Sequence, residues 1–176
     1  MSVFLQPLQT VTVGSGGSGG VNFTNIPQTY TDLVIKASVA VTSNGFIPDL
    51  FMSFNNNIST TLYSDTILLG TGSATGSNNN ANNNVARVGL VNYPTYTSNT
   101  FASVDIYIPN YTGSNYKSII SDSVTENNGT TSYPRISANL WRSTAAINEV
   151  DFLTDGGVSF IQYSKFSLYG VLRQGI

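Results

Sequence analysis

The chain has 176 residues, with seven Lys+Arg against nine Asp+Glu and neither His nor Cys. Their absence removes disulfides, thiolate and imidazole metal sites and every Ser–His or Cys–His relay, and a net charge of −2 gives no electrostatic footprint for a nucleic-acid backbone. Solubility rests instead on 22 Ser, 20 Thr and 20 Asn, which together with 16 Gly and few helix formers predict an all-β chain.

Met1 to Val13 lacks a cationic start and carries Gln6, Pro7 and Gln9, so neither a signal peptide nor a membrane span is expected. Its Val3, Phe4, Leu5 and Leu8 need burial, while Gly14 to Gly20 forms a linker with a random-coil reach of about 14 Å. Two readings stay open: an arm that adds a strand to a neighbour, or the first strand of its own sandwich. The expected division is residues 1–20 as N-terminal arm and linker and 21–176 as a β-sandwich domain.

Period-two alternation recurs at short intervals from one end of the chain to the other. In Thr31 to Val41 the residues Leu33, Ile35, Ala37, Val39 and Val41 share a face opposite Lys36 and Ser38. Strands are likewise expected over Leu50–Asn55, Thr61–Leu69, Val85–Tyr93 and Phe101–Ile108, the last closed by Pro109, which has no N–H to give. Tyr116–Thr125 carries Ile119 and Ile120 side by side, which suggests a bulge. Ile136–Leu140, Asn148–Thr154 and Ser164–Leu172 complete a set of nine or ten strands, and Ser143–Ile147 is the one candidate for a single helical turn. The predicted interior is Leu33, Ile35, Val39, Phe54, Val88, Val104, Ile106, Ile136, Phe152, Phe166 and Leu168 of two antiparallel sheets packed face to face. Asn44-Gly45, Asn128-Gly129 and Asp155-Gly156 supply positive-φ turn dipeptides. The run from Gly70 to Asn84, with six Asn between 78 and 84, is low in complexity and flexible when isolated.

Paired carboxylates are the catalytic device that remains. Glu149 with Asp151, and Asp122 with Glu126, share strand faces and are read as solvated outward positions, so no catalytic residue, cofactor or metal site is assigned. Asn-x-Ser/Thr triplets at Asn22, Asn57, Asn110 and Asn128 are what chance gives in such a composition. The loop tyrosines Tyr93, Tyr96 and Tyr111 and the single Trp141, which points away from the Leu140 face, are candidate interface anchors beside Val3, Phe4, Leu5 and Leu8.

The segments Phe23 to Ile35, Ile106 to Tyr111, Asn115 to Ser118, Glu126 to Asn128, Leu140-Trp141, Thr144 to Ile147 and Phe166 to Gly170 resemble small virion proteins of tailed bacteriophages, notably marine and cyanobacterial ones, over about residues 21–170. The resemblance implies a virion structural role and a β-sandwich of jelly-roll type. Three functions from different classes remain: a capsid decoration (cement) protein that binds the major capsid protein shell, a tail or tail-fibre module that binds host-surface glycans, and, from the carboxylate pairs, a glycan hydrolase. The first fits a stand-alone domain without coiled-coil heptads or fibrous repeats. The expected partners are further copies of the chain in a homotrimer and the major capsid protein or another virion protein, with no nucleic acid and no membrane. The expected location is the virion, on the capsid surface rather than the tail.

Overall fold

The computed structural model describes residues 3–42, 45–59, 61–93, 98–127 and 132–173. Twelve strands are present among them: β1 (Val3–Thr12), β2 (Val21–Phe23), β3 (Asp32–Val39), β4 (Asp49–Phe54), β5 (Tyr63–Gly70), β6 (Thr75–Asn83), β7 (Ala86–Leu90), β8 (Ala102–Pro109), β9 (Lys117–Glu126), β10 (Ser132–Trp141), β11 (Val150–Thr154) and β12 (Lys165–Arg173). They form an eight-stranded sheet in the order β1-β12-β3-β8-β9-β10-β5-β6 and a four-stranded sheet in the order β2-β11-β4-β7.

The wiring is that of a long hairpin rolled onto itself. Strands β1 and β12, β2 and β11, β3 and β8, and β4 and β7 pair antiparallel as nested partners. Alternate pairs fall in opposite sheets, β1-β12-β3-β8 facing β2-β11-β4-β7, which is jelly-roll connectivity. Two insertions enlarge it. The hairpin β5–β6 lies between β4 and β7 in the chain, the pair β9–β10 lies between β8 and β11, and β10 joins β5, so all four continue the larger sheet beyond β8.

The core follows from alternation. Leu33, Ile35 and Val39 of β3, Val104, Ile106 and Ile108 of β8, and Phe166 and Leu168 of β12 meet Leu50, Met52 and Phe54 of β4 and Val150 and Phe152 of β11. Phe23, Phe152, Phe166 and Phe160 form a chain of rings with centroid separations of 6.3, 4.9 and 5.1 Å, spacings at which aromatic pairs attract. Of the predicted interior, Ile136 alone is misplaced: it is exposed on the outer face of β10.

Other expectations need correction. Residues 3–12 follow the second of their two readings within this chain, forming the edge strand β1 of its own sheet, antiparallel to β12. The Asn-rich run forms β6, because β5 offers a ladder to which its backbone bonds. No bulge separates Ile119 from Ile120: β9 pairs with β10 in unbroken register, and the two side chains take opposite faces. Ser143–Ile147 is irregular, and a 3₁₀ turn lies instead at Asp155–Gly157, where Gly156 takes a left-handed φ of 68°. Asn44, Asn128 and Gly129 lie outside the described residues.

Candidate interaction surface

The added strands β9, β10 and β5 alternate as regularly as the jelly-roll strands, but with reversed chemistry. Their inward positions are Lys117, Ile119, Ser121, Ser123 and Thr125 on β9, Arg135, Ser137, Asn139 and Trp141 on β10, and Tyr63, Asp65 and Ile67 on β5. Strand β7 packs on this inner face. It comes close enough that a Cβ on Gly89 would stand 3.0 Å from the Ser123 Cβ, so glycine is what lets the two backbones approach.

Most of these polar groups are paired, although Ser121 Oγ, Thr125 Oγ1 and the Trp141 indole N–H are buried with no hydrogen-bond partner among the described residues. Arg87 donates through Nε and Nη2 to the two carboxylate oxygens of Asp65 at 2.9 and 2.6 Å, a fork that raises the guanidinium pKa further above its ordinary value. Arg135 donates to Asp49, and through Nε to Ser137 Oγ at 2.9 Å. Asn139 Oδ1 accepts the Arg87 amide at 3.1 Å, and Ser123 Oγ accepts the Leu90 amide at 3.1 Å. At the end of the layer Lys117 is 1% exposed, with Nζ donating to the carbonyls of Gly113, at 2.6 Å, and Ala145 and lying 5.5 Å from the Trp141 ring centroid. Burial pushes its pKa down. Burial also pushes up the Tyr63 hydroxyl, which accepts the Phe54 amide at 2.9 Å.

The aliphatic residues of the same strands face outward. Leu68, Ile120, Ile136 and Val124 are 56, 53, 51 and 42% exposed. Cross-strand register collects them: Val124 is opposite Pro134, Ile136 lies between Asp122 and Leu68, and Ile120 is opposite Ala138. Between them runs a groove of ≈ 710 Å³ lined by Leu68, Gly70, Thr75, Ser77, Asp122, Val124, Pro134 and Ile136 among others. Its charge is lopsided. Asp105 and Asp122 are directly opposite on β8 and β9, and Lys36 lies 2.6 Å from Asp105, whereas Asp122 makes no hydrogen bond or ion pair among the described residues.

The residues expected to anchor an interface are distributed differently. Phe4 and Leu5 on β1 are exposed at 66 and 44%, and Leu8 is half-buried against the core. Val3 starts β1. Tyr93 is half-buried and packed on the core. Tyr96 lies outside the described residues. Tyr111 is fully buried, its hydroxyl donating to the Pro27 carbonyl, and Trp141 is buried with its ring 5.1 Å from Phe54, so both belong to the core rather than to a surface. The outer-face aliphatics were missed as surface residues. Their signal was Trp141, which shares a phase with Arg135: the bulkier ring going inward carries Arg135 in and Ile136 out.

On the far side of the sandwich, the Glu149–Asp151 pair does meet. Burial first, then the Glu149 charge and a hydrogen bond with it, raises the Asp151 pKa, while Asp151 Oδ2 accepts the Asn56 amide at 3.2 Å. Asn55 and Asn56 both take left-handed φ, of 55° and 51°, and Asn55 Oδ1 accepts the amides of Asn148 and Glu149 at 2.9 and 3.2 Å. The arrangement holds the Asp151 pKa up and closes a turn. Asp122 and Glu126 face outward on β9, as expected, on either side of Val124.

The chain matches no protein-family model, and no curated protein is significantly similar to it.

Proposed function

We propose that this chain is a non-enzymatic structural protein that docks the outer face of β9, β10 and β5 onto another protein, and that its setting is the bacteriophage virion, as a decoration protein on the major capsid protein shell. The jelly roll itself supports many activities and decides none of them. The observation that carries the docking reading is the reversed alternation: four aliphatic side chains are left in water by strands that bury Arg135, Asp65 and Lys117. A contiguous apolar patch rimmed by polar residues is the usual mark of a protein contact. The virion setting rests on the sequence resemblance. A glycan-binding alternative would draw on exposed tyrosines, for which Tyr111 is lost to the core while Tyr116 remains exposed.

Co-sedimentation with assembled shells of the major capsid protein tests the reading. The native chain is expected to pellet with shells, and Ile136→Lys to stay in the supernatant with an unchanged melting temperature. Equal pelleting of both proteins rules out this face. Failure of the native chain to pellet, with retention on immobilised glycans, replaces the reading with the tail module.

A further inference from the structure

We propose that the free edge of β6 pairs antiparallel with β6 of a second copy, joining two eight-stranded sheets across a two-fold axis. The two edges of the larger sheet are built differently. At β1, Pro7 removes a donor and a bulge between Pro7 and Gln9 breaks the ladder, both of them devices that blunt an edge. At β6, Thr75 to Asn83 carries neither a charge nor a proline, and every residue from Thr75 to Asn82 is exposed. Its register with β5 runs unbroken from Gly70↔Thr75 to Asp65↔Asn80, and the single irregularity comes after that.

The edge is also held in place before any partner arrives. At one end the turn is closed by Thr71 N–H to Ala74 O at 2.9 Å and by Ala74 N–H to Thr71 Oγ1 at 3.1 Å. At the other, Arg142 Nη2 donates to Ala81 O at 2.7 Å and to Asn82 Oδ1 at 3.2 Å while also holding Thr61 and Tyr63 carbonyls of the neighbouring chain segment. Between these anchors every second residue of an edge strand turns its N–H and C=O to the open side, so a preordered row of donors and acceptors is presented.

The chemistry selects a second copy as the occupant. With the axis at Asn79, Asn78 meets Asn80 and Asn79 meets its own copy, and each primary amide both donates and accepts, so the edge complements itself without any charged partner. A two-fold relating antiparallel neighbours in one sheet stands perpendicular to it, so both outer apolar faces come to lie on the same side. Isologous pairing of this kind closes with two copies, in place of the expected three. It stands independently of the virion setting.

The test is the mass of the full chain by sedimentation at about 100 µM, a concentration that fills a contact of micromolar affinity. Twice the chain mass of 18.8 kDa is expected, with little change between low and high salt because the contact is neutral. Asn79→Lys and Asn79→Asp should each give monomers with unchanged melting temperatures, and mixing the two in equal amounts should restore the dimer. Ile136→Lys, which removes the docking face, should leave the dimer intact. A native monomer or trimer, a dimer that survives both Asn79 changes, a mixture that stays monomeric, or a dimer lost in Ile136→Lys overturns the proposal.

Discussion

Strands β1, β12, β3 and β8 and strands β9, β10, β5 and β6 belong to one continuous sheet, yet the two halves use their faces in opposite ways. The first half buries Ile35, Val104, Ile106 and Leu168 and turns Lys36, Ser38, Ser103 and Asp105 outward. The second buries Arg135, Asp65, Ser123 and Asn139 and leaves Leu68, Ile120, Val124 and Ile136 in water. Alternation sets which residues share a face; what lies across from that face decides which side goes in. Across the first half lies Phe152, its ring 4.9 Å from Phe166, while Phe54 packs on Trp141 and Tyr63 of the second. Across the second lies the short strand β7, whose Arg87 and Gly89 bring a cation and bare backbone that only polar partners satisfy.

Cutting the polar layer should have the largest effect. Asp49→Ala strands the Arg135 guanidinium, which is 4% exposed, and a buried charge deprived of its partner costs about 3–5 kcal/mol, measurable as a fall in the denaturant midpoint. The apolar half answers to a different change: Ile106→Ala, at a position 1% exposed, is expected to cost about 2–5 kcal/mol. Ile136→Ala in the second half should shift the isolated chain by less than about 0.5 kcal/mol, since that side chain already meets water. Should Ile106→Ala and Ile136→Ala prove equally costly, the contrast between the halves collapses.

The smallest effect concerns Asp151. Burial and the neighbouring Glu149 raise its pKa in the fold above the ordinary carboxyl value of 3.8, so the fold favours the protonated acid. That stabilisation is complete below pH 3.8 and is lost as the pH rises through the folded value, which leaves a penalty at neutral pH. Asp151→Asn, whose Oδ1 still accepts the Asn56 amide, should therefore raise the melting temperature slightly at pH 7 and not at pH 3. A gain at both values would mean that packing rather than charge is responsible.

Strands β3 and β8 of the first half were legible in the sequence because their alternation obeys one rule, whereas β1 and β12 leave Phe4, Leu5 and Leu172 exposed. Leu33 to Val39 and Ala102 to Ile108 alternate cleanly, and their apolar residues are buried. Ile136 was placed inside by the same rule, and there the rule fails: Ile136, Ala138 and Leu140 form an apolar phase as convincing as that of β8, but Trp141 and Arg135 occupy the other phase and their pairing with Phe54 and Asp49 prevails. Ile119 and Ile120 looked like a bulge because both were assumed to need burial. Strand β6 was invisible for another reason. Its Asn, Ser and Gly residues have low strand propensity, and only the ladder offered by β5, a partner distant from composition statistics, makes them a strand. Tyr111 reads equally as turn packing or interface anchor, and Trp141 as core or interface, because a lone aromatic carries no local mark of depth; both are buried.

Lys117 makes the closed end of the sandwich a place where motion is chemically visible. The chain has three lysines; Lys36 and Lys165 are open to solvent, whereas the Lys117 amine is sealed between the Gly113 and Ala145 carbonyls and the Trp141 ring. An amine-acylating reagent therefore modifies two sites at the speed of its own chemistry and the third only when the loops bearing Gly113 and Ala145 part. The delay at that third site, followed by peptide mass, is a clock for local opening at this end of the molecule, built into the protein without any added label.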